Sequence, residues 1–355
     1  MTKVLVVCHD AGAANILSAL VKKYRRDFKW ISYVSGPAKD IFLKEGISVH
    51  SCPIKLKPEG ASKIVDRQNP DLVLTGTGWQ SAYYLNFIKA AKAKKIKTAS
   101  FLDHWCNYRQ RFGFPAGWKD NLPDFVFTGD KWSYELAQKE GFPKNALLQV
   151  ENPYFEDICR KAVNQYQKGG KRSAKLRILY LSGPVYEHAA KLHKDPYSRG
   201  YTEYSIMEHL LKIMKLSKGT RSLEFRVRLH PAEKIDKYAE IINNHDFKEL
   251  KRQITVSSAF KNTLIKDCAW SNLVIGSESM ALVTAFISGR YAVSYRPGAE
   301  RKKYLPQKEI KRIYSFNRLK DLIMDHDFSQ AKKYSRIAPK KLFKMALEKI
   351  GCRKG

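Results

Sequence analysis

The sequence predicts an α/β protein built from two doubly wound, Rossmann-like parallel sheets, and three observations carry the prediction. Short apolar runs, each long enough for one buried strand, recur along the chain. Helix-period segments separate most of them, which is the pattern of strand–helix–strand crossovers rather than of hairpins. The alternation stops once, at the polar, lysine-rich stretch 167-QKGGKRSAK-175, and then begins again. A chain of 355 residues, 44% of them hydrophobic, is long enough for two cores.

In the first half the strand-like runs are 3-KVLVVC-8, 29-KWISYVS-35, 47-ISVHSC-52, 71-DLVLTG-76, 97-KTASFLD-103 and 124-DFVFTGD-130, with helices expected at 15-NILSALVKKY-24 and 83-YYLNFIKAAKAKK-95. Between the last two runs lies 104-HWCNYRQRFGFPAGWKDNLP-123, rich in aromatics and arginines. Loops of that length inside a compact domain are usually functional. The second series runs 176-LRILYLSG-183, helix 205–216, strand 224-EFRVRLHPAE-233, helix 235–245, 253-QITVSS-258, helix 262–269, 272-NLVIGS-277, helix 279–289, 291-YAVSYRPG-298 and 309-EIKRIYSF-316. The expected domains are 1–165 and 166–330, each a Rossmann-like unit, and 331–355, a closing basic helix. Two such halves are expected to form a cleft, with ligands at the carboxyl ends of the strands.

Lys and Arg number 65 against 34 Asp and Glu, a formal charge of +31. A field of that sign attracts polyanions, with an anionic inner-membrane surface and acidic glycans among the expected partners. No zinc-finger spacing, RNP signature or basic low-complexity tail accompanies it, so no specific nucleic-acid partner is expected. The same charge also reads as a basic solvated surface with no special partner. The six cysteines show no metal or disulfide spacing, and no metal site is expected. Asp325-His326-Asp327 has the DxD form of metal-dependent transferases, but it follows a helix in a polar connection and reads as a solvated turn. With no apolar run of membrane-span length and no signal-peptide pattern, a cytoplasmic protein, peripheral on the inner membrane at most, is expected.

The clearest chemical grouping lies in the second half. The run 272–277 ends at Gly276, and Ser277, Glu278 and Ser279 open an apolar helix. A helix N-terminus with small residues and hydroxyls suits a phosphate, although ordinary capping by Ser279 needs no ligand. Arg296 follows the next strand, again at a carboxyl end. The strand 224–233 alternates Phe225, Val227 and Leu229 with Arg226, Arg228 and His230 before Pro231 stops it. If it neighbours the 272–277 strand, Arg228, His230, Ser277, Ser279 and Arg296 face one anion. Otherwise it is a basic edge strand, and His230 is a structural histidine.

The order "RLHP", "GSESM", apolar helix, "SYRPG" resembles the nucleotide-binding domain of GT-B glycosyltransferases that build bacterial surface polysaccharides. The His230-Pro231 pair is similar to the motif of sialyl-, polysialyl-, Kdo- and CDP-glycerol-transferases. The resemblance implies a GT-B architecture with the domains facing across a cleft. It also implies that His230, Ser277 and Ser279 hold the phosphate of a nucleotide-activated donor, CMP- or CDP-linked rather than UDP-linked, and that no cofactor is needed. The Glu-x7-Glu pattern of many retaining members is missing, since Phe286 stands eight past Glu278, which favours inversion.

In that reading the first half lines the acceptor side. Asp10 projects from the loop after the first strand, beside Gly12 and Asn15, and would deprotonate the acceptor hydroxyl. The alternative is that Asp10 or Asn15 merely caps the helix. Asp103 with His104 is a rival base, Trp105, Tyr108 and Arg109 suit a sugar or lipid phosphate, and Thr77 stands in a loop, 75-TGTGWQ-80, that would complete the wall. The expected function is an inverting transferase moving a sugar or glycerol-phosphate unit to a glycan or lipid-linked acceptor in capsule or cell-envelope synthesis. The alternatives are a non-hydrolysing nucleotide-sugar 2-epimerase and a noncatalytic polyanion-binding protein.

Overall fold

The computed structural model describes residues 1–78, 83–168, 175–300, 305–328 and 342–351. It divides into two compact units, Met1–Asp157 with Ala338–Gly355, and Ile158–Ile337. Most of the polar stretch 167–175, all of 331–341, residues 352–355, and Trp79 and Gln80 of the glycine loop lie outside the described residues. The division falls within the helix Pro153–Lys168.

The first unit is built on a seven-stranded sheet. Its strands are β1 (Lys3–Cys8), β2 (Lys29–Val34), β3 (His50–Ser51), β4 (Leu72–Thr75), β5 (Lys97–Leu102), β6 (Phe125–Thr128) and β7 (Leu147–Gln149). They lie in the order β3-β2-β1-β4-β5-β6-β7, and every pairing is parallel. Each central strand is covered on both faces, which is why β4 is buried at all four positions and reads as an unbroken apolar run. The expected strand 47–52 shrinks to two residues because it is an edge that pairs only with the end of β2.

Two helices of this unit matter for the site. Helix α1 (Ala11–Lys23) returns from β1, and α4 (Tyr83–Ala93) returns from β4. The chain's last described helix, Leu342–Lys349, also belongs here. It inserts Phe343, which is fully buried, among Tyr24, Phe28, Trp30 and Phe127, and its first backbone N–H groups include that of Phe343, which donates to Glu151 Oε2 at 2.7 Å. The helix Leu342–Lys349 therefore packs into the first core, where Phe343, Ala346 and Leu347 are buried.

The second unit repeats the plan with six strands: β8 (Leu176–Leu181), β9 (Leu223–Arg228), β10 (Ile254–Ser257), β11 (Leu273–Gly276), β12 (Tyr291–Tyr295) and β13 (Lys311–Ile313), in the order β10-β9-β8-β11-β12-β13, all parallel. Strand β9 is therefore internal, between β10 and β8, and not an edge. Its alternation is nonetheless real. Phe225 and Val227 enter the core at 1% and 0% exposure, while Arg226 and Arg228 turn to the opposite face and meet Asp267 of the helix Leu264–Trp270. Among the described residues, no helix is long and apolar enough to cross a membrane.

Candidate active site

Three loops in the first unit meet at the carboxyl ends of adjacent strands: the one after β1 carries Asp10, the one after β4 carries Thr77, and the one after β5 carries Asp103. Small residues let them meet. A Cβ on Gly12 would stand 2.2 Å from Asp103 Oδ2, and one on Gly78 would stand 2.3 Å from Asp10 Oδ2, so each carboxylate lies directly against glycine backbone. Gly76 is crowded in the same way, by Ala13 and the Tyr84 ring.

Asp10 occupies the N-cap position of α1, yet its side chain makes no capping bond. It is turned instead toward Tyr84 of α4, whose hydroxyl donates to Oδ2 at 3.2 Å, and toward His9, whose Nδ1 is 3.2 Å from Oδ1. The same Tyr84 oxygen accepts the backbone N–H groups of His9 (2.9 Å) and Asp10 (3.0 Å), which fixes the turn out of β1. Burial pushes the Asp10 pKa up and the charge of Asp103 adds to it, against the opposing effects of His9, the Tyr84 hydrogen bond and Arg111. Asn15 lies within α1, so neither candidate cap residue caps the helix with its side chain.

Asp103 has a different setting. Its Oδ1 receives Arg111 Nη1 at 2.5 Å and faces the Thr77 hydroxyl at 3.3 Å. Arg111 comes from a short 3-10 turn, Gln110–Phe112, in the long aromatic loop. The expected dyad of Asp103 with His104 is not formed, because His104 Nδ1 accepts the Trp105 N–H (2.9 Å) and lies 3.3 Å from Cys106 Sγ. Burial lowers the His104 pKa, which favours the neutral ring. The loop's aromatics do not form an open stacking platform. Trp105 is 5% exposed with its N–H shared between the two Asp130 oxygens, and Tyr108 is 2% exposed in a cluster with Phe112, Trp118 and Phe142. Arg109 lies over the Phe114 and Trp118 rings and pairs with Glu140. Packing explains these residue types, and the site residues that the sequence did not point to are Tyr84 and Arg111, the latter two positions past Arg109.

In the second unit Ser277, Glu278, Ser279 and Arg296 do come together. Ser279 caps the helix α11 (Met280–Ile287) by accepting from Leu282 N, the Ser277 carbonyl accepts the Ser294 hydroxyl at 2.6 Å, and Arg296, 1% exposed, lies 3.4 Å from Glu278 and bonds Tyr314. Gly276 ends β11 with its missing Cβ 3.4 Å from that of Leu181, a close approach of two strands.

Strand β9 does not neighbour β11, since β8 lies between them. Arg228 does not reach a ligand position either. Its Nη1 bonds Asp267 Oδ2 (2.6 Å) and the Asn262 carbonyl (2.9 Å), and its Nη2 bonds the Ala259 carbonyl (2.6 Å). Asp267 is fully buried and needs both Arg226 and Arg228, so the phosphate role expected of Arg228 is corrected to a structural one. His230 is exposed at the carboxyl end of β9, followed by exposed Pro231. Its backbone N–H donates to Glu233 Oε2 (2.6 Å) and its Nδ1 accepts from Ala232 N (3.2 Å). Glu233 is held in turn by Ser182 and Lys237. Asp325, His326 and Asp327 end a helix whose last carbonyls are tied to Arg221, and among the described residues no acidic, histidine or cysteine group is arranged for a metal.

No protein-family model and no curated protein matches the chain. Solved structures do. The UDP-GlcNAc 2-epimerase from Methanocaldococcus jannaschii matches with a TM-score of 0.68 at 12% identity, over 98% of this chain and 99% of that one. The enzyme of that name from Neisseria meningitidis, bound to UDP-GlcNAc, matches at 0.65 and 12% over 91% of each chain. The UDP-N-acetylglucosamine 2-epimerase from Rickettsia bellii matches at 0.62 and 15%, over 94% and 90%. At such identities the likeness establishes the fold, two Rossmann-like α/β sheets of the GT-B-like class. It also corrects the functional expectation. The three structures just named are 2-epimerases, isomerases rather than glycosyltransferases, so they back the 2-epimerase alternative over the transferase, and no family match supports a sialyl-, Kdo- or CDP-glycerol-transferase.

Proposed function

We propose that the protein is a nucleotide-sugar 2-epimerase. The observation that carries the reading is the pair Asp10 and Asp103, two carboxyl groups on neighbouring loops with unlike surroundings. Inverting C2 requires a base to remove its proton while the C1–O bond to the nucleotide breaks and a C1–C2 double bond forms, and an acid to return a proton to the other face as the nucleotide adds back at C1. Pairs of titratable groups held in contrasting environments suit that division of labour. Asp103, paired with Arg111, is assigned the base. Asp10, whose pKa burial raises, is assigned the acid. The whole-length match to epimerase structures supports the same class.

Within the second unit taken by itself, Ser277, Ser279 and the helix start they form are the candidate seat for a phosphate, with Arg296 paired to Glu278 beside them. Structures similar to this chain hold UDP or UDP-GlcNAc, so the base is assigned as uracil. The lean toward cytidine belonged to the transferase resemblance. Free thiols suit a reducing, cytoplasmic setting, and the +31 charge supports loose, salt-sensitive association with anionic surfaces. Thermal-shift titration with UDP, CDP, CMP, GDP and ADP tests the nucleotide site. Selective stabilisation by UDP, reaching about 2.7 kcal/mol at a hundredfold excess over Kd, is expected. Selective stabilisation by CMP or CDP would overturn the uracil assignment, and no stabilisation by any nucleotide would favour a noncatalytic protein.

A further inference from the structure

We propose that Arg111 is the positioning residue of this site: with Thr77 it pins Oδ1 of Asp103, so that Oδ2, lying against the backbone of Gly12, is the oxygen that works on the sugar. The inference rests on the epimerase reading and adds a residue and an atom to it.

The two carboxyl groups differ in what remains free. Asp10 has a neighbour on each oxygen, His9 at Oδ1 and Tyr84 at Oδ2. Asp103 has both of its side-chain contacts, Arg111 and Thr77, on Oδ1, and among the described residues Oδ2 accepts no hydrogen bond. That oxygen stands over Gly12, the second residue of α1, where the helix N-terminus adds partial positive charge. A base needs a lone pair held in a fixed direction. Asp103 Oδ2 has that because its sister oxygen is pinned, whereas Asp10, the more exposed of the two side chains, has a different neighbour on each oxygen.

Arg111 supplies the fixed direction because its own plane is fixed. Its side chain is 6% exposed, Nε donates to the Cys106 carbonyl (3.2 Å), and Nη1 reaches the Thr77 hydroxyl (2.7 Å) and the Thr77 carbonyl (3.3 Å) as well as Asp103. The loops after β4 and β5 are thereby tied to one guanidinium. A lysine retains the charge but cannot present Nε and Nη1 in one rigid fork. Charge and geometry are therefore separable by substitution.

The test uses the full chain, with Arg111→Lys and Arg111→Met and UDP-GlcNAc as substrate. Arg111→Lys is expected to lower kcat by about a hundredfold, with KM within about threefold, because misplacing a base by an ångström is felt in the chemical step. The second readout is the titration of Asp10, followed by NMR of 13C-labelled aspartate and independent of turnover. The groups acting on Asp10 are His9, Asp103, Tyr84 and Arg111. Since the Arg111 charge lowers the Asp10 pKa, Arg111→Met is expected to move that titration to higher pH, while Arg111→Lys leaves it near the wild-type position. Unchanged kcat in Arg111→Lys overturns the proposal, as does an Asp10 titration that stays put in Arg111→Met. If Arg111→Met does not fold, Arg111→Lys decides alone, through the loss of kcat at unchanged KM and Asp10 titration. A wild-type protein that binds UDP-GlcNAc without epimerising it sinks the proposed function instead, and the titration still decides whether Arg111 governs the carboxylate pair.

Discussion

Replacing Gly12 by alanine sets two known effects against each other. Gly12 is the second residue of α1, and in an ordinary helix Gly→Ala stabilises by about 1 kcal/mol. Here the new Cβ would stand 2.2 Å from Asp103 Oδ2, about 1 Å inside normal contact. The carboxylate can escape only by rotating, and its other oxygen is held by Arg111, whose side chain is 6% exposed against 10% for Asp103. Breaking a buried pair of this kind costs about 3–5 kcal/mol, so Gly12→Ala is expected to destabilise by roughly 2–4 kcal/mol net. Urea unfolding followed by circular dichroism measures this directly. In an Asp103→Ala background the clash is gone, and the same substitution should stabilise by up to about 1 kcal/mol, a change of sign that a double-mutant cycle resolves. If Gly12→Ala raises stability in the otherwise wild-type chain, Asp103 is not where the geometry puts it, and the reasoning about the site fails.

Two further outcomes follow from the same contacts. Asp10 has a folded pKa raised above its ordinary 3.8, so its contribution to stability is present in full below that value and is lost as pH rises through the raised pKa. Asp10→Asn should therefore be more stable than wild type at pH 7, with the advantage shrinking toward pH 4 in paired urea titrations; an advantage independent of pH would show that Asp10 is not buried in this way. Arg228→Met leaves the fully buried Asp267 with one arginine and frees two loop carbonyls, so a loss of about 3 kcal/mol is expected, with UDP affinity of the folded protein within about twofold. A large loss of UDP affinity without loss of stability would restore Arg228 to the ligand.

The fold was legible because burial on both faces of a parallel sheet leaves a strong trace. Runs such as those at β1, β4, β5 and β11 coincide with strands to within a residue or two. Short edges were less legible, since β3 and β7 bury little and carry almost no pattern. At the site, Asp10, Thr77 and Asp103 could be found because each follows a strand, and strand ends meet in this topology. Arg111 could not, because its meeting with Asp103 depends on how a 20-residue loop folds back, which no periodicity records. Tyr84 read as one more apolar helix residue, and only the turn geometry after β1 shows what its hydroxyl does. The opposite error occurred at Arg228. Its face and strand position were read correctly, but the partner that claims it, Asp267, lies 39 residues on, in a helix with no local sign of the pairing.

The central claim is that this site inverts a carbon of a nucleotide sugar, and one experiment reads it directly: proton NMR of UDP-GlcNAc incubated with the full chain in D2O. The account predicts signals of a second UDP-N-acetylhexosamine, the C2 epimer, with solvent deuterium at the epimerised carbon and both features lost in Asp103→Asn. Unchanged UDP-GlcNAc, with no deuterium at C2 although UDP binds, would contradict it.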